Sequence, residues 1–347
     1  MTRALLEQLL AQEDLSAHQV RALVARLVDP TTDDLERAAL LVALRAKGET
    51  HAEVEAFARE LRRRSVAFPG PRADGAVDLC GSGGASTPSF NVGTVSAFVV
   101  RAAGVPVAKH GNRSARGSTR GYAGSSDLLE ALGLPITTSV EFARESYHRF
   151  GLAFLHAPLY HTATSAVMPV RRGLGIPTIF NQLGPLTNPA GVPFQVVGCP
   201  DPDVADRVAR ILPALGVRSG IAVAGGGMDE FSPRGTSTCV SWFHRRRTRR
   251  FIRASEYLPP EDRRGPLGPL APSAAAEETV RLLAGGGGAR RGSILLTSGA
   301  ALWISGRAPD LRTGVAQAQL ALDTGRAQAL LEAMQGLASE RRWEEAP

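Results

Sequence analysis

The chain has 347 residues, 44% hydrophobic and 21% charged, which predicts about two globular domains with a buried core. The formal charge is +7, and only Lys47 and Lys109 among the 40 basic residues are lysines. The densest basic run, residues 244–250 (HRRRTRR), has no interleaved aromatics, so a solvated face is favoured over an anion-binding patch and nucleic acid is not expected as a partner. The positive surplus suits acidic small substrates.

Three cysteines, Cys80, Cys199 and Cys239, are too widely spaced for a zinc pattern or a disulfide framework. The first residues, MTRALLEQLLAQED, carry acids and lack a cleavage signal, and no run of about 18 apolar residues occurs. These features predict a cytoplasmic protein without a membrane partner.

Residues 1–65 have the pattern of short amphipathic helices with polar starts. Ser16, the 32–34 cluster (TDD) and Thr50 each precede an apolar-periodic run, and Thr50 with Glu53 forms a capping-box pattern. This region predicts a small all-helical domain over residues 1–70.

From Ala76 onward, short apolar strands alternate with glycine-rich turns and helical stretches, as in an α/β domain with a mainly parallel sheet. Predicted strands are AVDLC (76–80), VPVAKH (105–110), LAFL (152–155), IAVAG (221–225) and SILLT (293–297). The helical stretch SAVMPVRRGLGI would complete the small domain with residues 163–190. The predicted α/β domain then spans residues 71–162 and 191–347, with a cleft between the two domains. Residues 259–272 are predicted as a surface loop and 285–288 as a turn.

The first candidate site, Gly81-Ser82-Gly83-Gly84, follows the strand AVDLC and precedes FNVGT, which opens a helix. Glycines let backbone N–H groups close on a phosphate, and a helix N-terminus adds positive charge. A plain tight turn is the alternative for this short motif.

The second candidate is the run from Lys109 to Arg113 (KHGNR) at the end of a predicted parallel strand, where open α/β sheets bind ligands. A lysine in a chain that otherwise uses arginine indicates that a compact ammonium is needed.

Two further candidates carry opposite charge. Asp229 and Glu230 follow a strand and three glycines, where two carboxylates can hold Mg²⁺ together with substrate phosphates. Arg171 lies on the inserted helix and can grip a carboxylate with its guanidinium. A surface acidic pair and a solvated arginine are the respective alternatives.

In this order the motifs resemble the anthranilate phosphoribosyltransferases, from end to end of the chain. The resemblance rests on GSGG with FNVGT, KHGNR, GSSDLLEALG, MPVRRGLGIPTIFNQLGPLTNP, GGMDE and the C-terminal SGAALWISGRAPDLRTGVAQAQLALDTGRA. It implies a homodimer with a helical domain, an α/β domain and an active site at the hinge. It also implies small-molecule substrates and Mg²⁺: a phosphoribosyl group passes from phosphoribosyl pyrophosphate to the amine of anthranilate in tryptophan biosynthesis, and pyrophosphate leaves.

The resemblance also implies roles for individual residues, without an assigned acid or base. The donor-binding set is Gly81, Ser82, Gly83, Gly84, Ser89, Asn91, Thr94, Lys109, Arg116, Arg120 and Ser125. The acceptor-binding set is His110, Gly111, Asn112, Arg171, Gly184 and Pro185. Asp229 and Glu230 would hold the metal.

This chain departs from the family pattern on the donor side. Ala85 and Gly93 stand where the family usually has Asp and Ser, and residues 114–123 form a longer loop without the usual lysine. Arg116 and Arg120 are candidates to replace that lysine, and Pro177 stands where an arginine is common.

These departures leave alternatives open. One is a paralogue with a different aromatic-acid acceptor or a different activated sugar-phosphate donor. Another is a non-catalytic binding protein of the same fold, and a third is a pyrimidine nucleoside phosphorylase, although that group usually has KHS in place of KHGN.

Overall fold

The computed structural model describes residues 2–68, 75–82, 89–114, 121–244 and 246–340. The chain begins with four helices, α1 (Thr2–Leu10), α2 (Ala17–Val28), α3 (Asp34–Lys47) and α4 (His51–Arg64). The predicted caps are present, since Ser16 and Thr50 each close a capping box and Asp33 accepts from the Leu35 N–H. Local capping therefore fixes where α2, α3 and α4 begin.

A seven-stranded sheet with the order β3-β2-β1-β4-β5-β6-β7 forms the centre of the rest of the chain. Its strands are β1 (Val77–Gly81), β2 (Val107–Gly111), β3 (Leu152–His156), β4 (Phe194–Gly198), β5 (Ser219–Ala224), β6 (Thr236–Phe243) and β7 (Arg246–Arg253). Strands β1 to β5 are parallel, and β6 and β7 add to the edge as an antiparallel hairpin. The strand order reverses between β1 and β4, so their carboxyl ends flank the crevice where such sheets bind ligands.

Helices cover both faces of the sheet. The remaining helices are α5 (Val92–Ala102), α6 (Ser125–Ala131), α7 (Val140–Phe150), α8 (Ala157–Tyr160), α9 (Met168–Leu174), α10 (Pro202–Ala214), α11 (Pro272–Leu283), α12 (Ala289–Ile304), α13 (Leu311–Asp323) and α14 (Arg326–Glu340). One face packs on α5, α12, α13 and α14 around Phe98 and Leu295. The other packs on α10 and on the small helical domain around Trp242 and Leu27. The small N-terminal helical domain and the larger α/β domain predicted from the sequence are both present.

The inserted stretch after β3 forms α9, as predicted, and ends at Gly175, whose φ of 63° suits a glycine C-cap. Val167, Val170 and Ile179 from this insertion belong to the same apolar cluster as α1 to α4. The insertion thus packs with the N-terminal helices.

The predicted strand SILLT is wrong, because residues 293–297 lie inside α12. Nearly every residue of α12 is buried, including Arg291, so its apolar run shows no helical stripe. A short buried run of this kind does not distinguish strand from helix by periodicity. Residues 285–288 consequently join two helices, and the predicted loop 259–272 contains a short 3₁₀ turn, Glu261–Arg263.

The described residues contain no helix long and apolar enough to cross a membrane.

Candidate active site

A buried lysine organises one side of the site. Lys109 lies on β2 and is 5% exposed, and its Nζ is 3.4 Å from Ser125 Oγ, at the start of α6. Ser125 Oγ is 2.9 Å from Thr94 Oγ1, in the first turn of α5. Two helix starts and a strand end therefore bring a cation and two hydroxyls together, a set suited to holding a phosphate.

Asp229 and Glu230 lie beside this cluster because two glycines leave room for their backbone. A Cβ on Gly198 would lie 1.7 Å from the Asp229 carbonyl oxygen, and one on Gly225 would lie 2.0 Å from that of Glu230. No side chain fits at either position, so these glycines fix how closely the acidic turn approaches the ends of β4 and β5.

Loss of solvation raises the pKa of both carboxyl groups. For Glu230 the neighbouring Asp229 charge raises it further, whereas Lys109 and a bond from the Gly93 N–H lower it. For Asp229 the bond from Ser89 Oγ, at 3.4 Å, acts in the lowering direction. Two adjacent carboxylates with raised pKa values are a site that a bound cation would stabilise.

The described residues include no group of three or more His, Cys, Asp or Glu side chains placed to hold a metal. Asp229 and Glu230 are therefore the two carboxylates offered here by the described residues, and water and a bound anion can supply further ligands. Mg²⁺ is commonly held in this way, by one or two carboxylates plus substrate phosphates. The residues present fit magnesium.

The loops around the phosphate cluster are tied to one another. Asn91 is the N-cap of α5, and its Nδ2 donates to the Ala123 carbonyl at 3.1 Å. Gly81 pairs with Gly198 across the β1–β4 crevice, and the Ser82 N–H donates to the Gly198 carbonyl at 2.7 Å. Gly83, Gly84, Arg116 and Arg120, which were predicted to bind the donor, lie outside the described residues.

His110 organises the other side of the site. Strand alternation turns its side chain to the face opposite that of Lys109, where its Nδ1 is 3.2 Å from the Gly184 carbonyl. Its ring lies 5.2 Å from that of His161, and burial lowers the pKa of His110 to about 3. The ring is therefore neutral at pH 7, with Nδ1 as the donor. The buried Nε2 has no hydrogen-bond partner within the described ranges, so it is available to accept from a ligand N–H or O–H.

Arg171 is half-buried on α9, with its guanidinium 5.1 Å from the ring centroid of Phe180. Its Nη1 lies 3.4 Å from Met168 Sδ, and it forms no ion pair with an acid in the part of the chain described. Desolvation lowers its pKa. A guanidinium without a counter-ion is well suited to a carboxylate ligand. Phe180 lies four residues before Gly184, whose carbonyl contacts His110, so Arg171 and His110 contact the same segment.

The other predicted acceptor residues have structural partners. Asn112 Oδ1 accepts from the Arg113 N–H at 2.7 Å, and its carbonyl accepts from the Ser126 N–H. The Pro185 carbonyl accepts from Gln195 Nε2 at 2.6 Å. A Cβ on Gly111 would lie 3.0 Å from Ser125 Oγ, so this glycine allows the two halves of the site to approach closely.

Sequence reasoning missed Asp78, which is fully buried on β1. Its Oδ1 accepts from the His110 N–H at 3.1 Å and its Oδ2 from Gln195 Nε2 at 3.3 Å. Desolvation raises its pKa, whereas Lys109 acts in the lowering direction. The signal was an acid within the apolar strand AVDLC. Gly198 and His161 were also missed, and Gly225 was noted only as one of the three glycines before the acidic pair. Their contacts are visible only once the fold is known.

Two family models match this chain, one over the α/β domain and one over the N-terminal helical domain. Residues 73–328 match a family described as "Glycosyl transferase family, a/b domain", and residues 3–65 match its "helical bundle domain".

Curated relatives match over nearly the whole chain. Anthranilate phosphoribosyltransferase from Sorangium cellulosum is 40% identical, with 94% of this chain and 93% of that protein covered. The enzyme of the same name from Solibacter usitatus is 38% identical, with 97% and 98% covered.

Solved structures share the fold. The crystal structure of anthranilate phosphoribosyltransferase from Thermus thermophilus superposes with a TM-score of 0.87 at 34% identity, covering 96% of this chain and 99% of that one. The Saccharomyces cerevisiae enzyme, solved in complex with PRPP and Mg, has a TM-score of 0.83 at 23% identity, with 98% of each chain covered.

Proposed function

This chain belongs to the anthranilate phosphoribosyltransferase family, and on that premise we propose that it transfers a phosphoribosyl group from phosphoribosyl pyrophosphate to the amine of anthranilate, releasing pyrophosphate. It is thus a pentosyltransferase acting on two small molecules. The observation that carries the proposal is that Lys109 and His110 are adjacent residues at the end of β2. One strand end presents a cation to a phosphate cluster on one face and a neutral imidazole to a carboxylate-binding region on the other.

The donor would bind at the β1–β4 crevice. Lys109, Thr94 and Ser125 form the buried part of the phosphate cluster, and Asn91 holds the adjacent loop. We include the following residues in the proposed donor set: Gly81, Ser82, Gly83, Gly84, Ser89, Arg116 and Arg120.

Asp229 and Glu230 would hold Mg²⁺, whose charge, when bound, helps to neutralise the departing pyrophosphate. Ser89 positions the Asp229 carboxylate, and the Gly93 N–H positions that of Glu230. The pKa of each carboxyl group is raised in the free protein, so a bound cation would stabilise the ionised form of both.

The acceptor would bind with its carboxylate on Arg171 and its ring near His110 and the Gly184 segment. The free Nε2 of His110 can accept from the acceptor amine and hold its nitrogen toward the sugar. Gly111, Asn112, Gly184 and Pro185 complete the proposed set by shaping the backbone around it.

The reaction is a displacement at the anomeric carbon of the ribose. The amine nitrogen forms the new C–N bond, the C–O bond to pyrophosphate breaks, and the nitrogen then loses a proton. Positive charge develops on the sugar ring as in glycoside cleavage, so preorganised charges around the pyrophosphate supply most of the catalysis. An aniline nitrogen is neutral at pH 7, and we assign no general base.

A paralogue with a remodelled donor site is the second candidate, and Gly93 favours it. A Cβ at this position would lie 3.0 Å from the Leu79 carbonyl oxygen, so the serine usual in the family would need local rearrangement. Ala85→Asp is the test: a lower KM for the magnesium complex of phosphoribosyl pyrophosphate supports this donor, and an unchanged or higher KM supports a different sugar phosphate.

We further propose a homodimer formed through the helical domain. Large apolar side chains are exposed on α3 and on the two helices that contact it, α1 and α9, and just after α9: Leu10, Leu35, Val42, Met168 and Ile176. Exposed apolar side chains on neighbouring helices are typical of interaction surfaces. Sedimentation should give a dimer, and Leu35→Glu should shift it to a monomer.

Two other assignments are proposals. The domain division is residues 1–70 with 163–190, and residues 71–162 with 191–347, supported by the shared apolar cluster of the insertion. A cytoplasmic location is supported by three free thiols, which a reducing compartment maintains. Cell fractionation would test the location.

The activity is tested by incubating the protein with Mg²⁺, phosphoribosyl pyrophosphate and anthranilate. Mass spectrometry should detect the phosphoribosyl adduct, with one pyrophosphate released per adduct. Ring-substituted benzoates serve as parallel acceptors. Adduct formed only with another acceptor would replace anthranilate, and no adduct with this donor would overturn the proposal.

A further inference from the structure

A cavity lies beside the proposed active site, between α4 and α10, and Ser82 of the proposed donor set forms part of its wall. It has a volume of about 170 Å³, and its walls are mainly branched aliphatic side chains: Val54, Leu186, Val204, Val208 and Ile211. Such a concave apolar surface with a few polar groups at its rim is the usual form of a small-molecule site.

The cavity is separate from the proposed acceptor site. That site is built around β2, whereas α10 packs on β5 and β6, and the sheet order places β1 and β4 between them. The segment from Phe180 to Leu186 separates the two. Phe180 and Gly184 contact Arg171 and His110, whereas Gln182 and Leu186 line the cavity.

One cation lies at the rim of the cavity. Arg207 Nη1 donates to Gln182 Oε1 at 2.8 Å, and Gln182 Nε2 in turn donates to Glu49 at 3.1 Å. Arg207 itself forms no ion pair with any acid among the described residues. The adjacent Asp206 pairs with Arg210 instead, at 2.7 Å.

The surroundings of Arg207 are basic. His51, at the start of α4, has its pKa lowered by burial and then by the charges of Arg207, Arg210 and Arg247, whereas Asp206 acts in the raising direction. An anion at this rim would therefore meet several positive charges and two carboxylates: Asp206, which is paired with Arg210, and Glu49, which accepts from Gln182 and has no ion pair among the described residues.

We propose that this cavity binds a single-ring aromatic carboxylate, with its ring against the aliphatic walls and its carboxylate on Arg207. The volume suits this class, since an engineered apolar cavity of about 150 Å³ binds benzene. A longer or two-ring molecule would extend out of the cavity. The inference needs only the cavity and the unpaired cation, and it does not depend on the proposed reaction.

The test uses 4-fluorobenzoate as the probe and fluorine NMR as the readout. Arg171→Gln is the background, because it weakens the proposed acceptor site and leaves the cavity intact. In this background we expect saturable binding of the probe. Adding Arg207→Gln should weaken that binding by about tenfold or more, the effect expected of a lost charge-assisted pair.

Arg210→Gln is the matched control, because Arg210 lies on the same helix and is paired with Asp206; the Kd in this variant should stay within about twofold. Val208→Trp should fill the cavity and abolish binding, with the Tm of that variant as the check on folding. If Val208→Trp does not fold, the comparison of Arg207→Gln with Arg210→Gln decides.

The inference is overturned by an absence of saturable binding in the Arg171→Gln background. It is equally overturned if Arg207→Gln and Arg210→Gln have equal effects, or if binding survives in folded Val208→Trp. None of these results bears on adduct formation, which is measured separately with the unaltered protein.

Discussion

Lys109 and His110 are neighbours on β2, yet Lys109 Nζ lies 3.4 Å from Ser125 Oγ and His110 Nδ1 lies 3.2 Å from the Gly184 carbonyl, on opposite faces of the sheet. Consecutive strand residues point in opposite directions, so one dipeptide serves both halves of the site. The two halves should therefore respond separately to mutation.

Arg171→Gln should raise the acceptor KM by about tenfold or more and leave the donor KM within about twofold, because the variant loses a charge-assisted contact to the carboxylate. Arg172→Gln, an exposed neighbour on the same helix, is the matched control and should change neither. Steady-state kinetics with each substrate varied in turn measures both constants. An unchanged acceptor KM would remove Arg171 from the acceptor site.

Lys109→Arg should lower kcat/KM for the donor by about tenfold or more, although the charge is kept. Lys109 is 5% exposed, and a planar guanidinium does not fit where a compact ammonium contacts Ser125. Donor kinetics at saturating acceptor measure the effect, with circular dichroism as the folding control. Activity equal to that of the unaltered protein would show that only the charge is required.

Gly93→Ala and Gly93→Ser should lower the Tm by similar amounts, because either Cβ would lie 3.0 Å from the Leu79 carbonyl oxygen. Overpacking of this kind costs about 1–3 kcal/mol of unfolding free energy. Thermal unfolding of the two variants measures it. A Tm drop in the alanine variant alone would mean that the serine hydroxyl finds a stabilising partner.

Gly198→Ala should abolish the magnesium-dependent activity, because its Cβ would lie 1.7 Å from the Asp229 carbonyl oxygen and displace the acidic turn. Gly173→Ala is the control, since nothing lies within 4 Å of a Cβ there. Turnover is measured over a magnesium titration. A normal magnesium requirement in a folded Gly198→Ala variant would contradict the proposed role of the turn.

The stability of the fold should decrease as the pH falls below about 6.5, in part through His110. Burial holds the pKa of this ring at about 3, so the unfolded chain takes up a proton that the folded protein excludes. The contribution is present in full above the unfolded pKa and is lost as the pH falls toward 3.

Urea unfolding of the unaltered protein and of His110→Asn tests this pH dependence. Between pH 6.5 and 4.5 the variant should lose less stability, by up to about 1.4 kcal/mol for each pH unit. Equal slopes would show that the ring of His110 is protonated in the folded protein.

The sequence predicted the elements whose patterns are local. Capping residues such as Ser16 and Thr50 mark helix starts, and four short apolar runs next to a glycine became β1, β2, β3 and β5. The strand predicted at SILLT was wrong because a wholly buried helix shows no hydrophobic periodicity. Strand β7 was missed because its arginine-rich sequence does not alternate apolar and polar residues.

The sequence predicted those site residues that lie at or shortly after the end of a strand, such as Lys109 and Asp229. The contacts that complete it join residues far apart in the chain, such as Gly198 with Asp229 and Asp78 with Gln195. No local pattern carries such pairings, so the fold was needed to find them.

Strand β7 is the edge strand at one side of the sheet, and every residue of this strand except the partly buried Ile252 is exposed. An open sheet edge is a template on which another chain can pair. A second copy that offered the same edge would bring Arg246, Arg247, Arg249, Arg250 and Arg253 against their own counterparts. Like charges across adjacent strands repel one another, so the arginine run disfavours pairing of a second copy at this edge and leaves self-association to other surfaces.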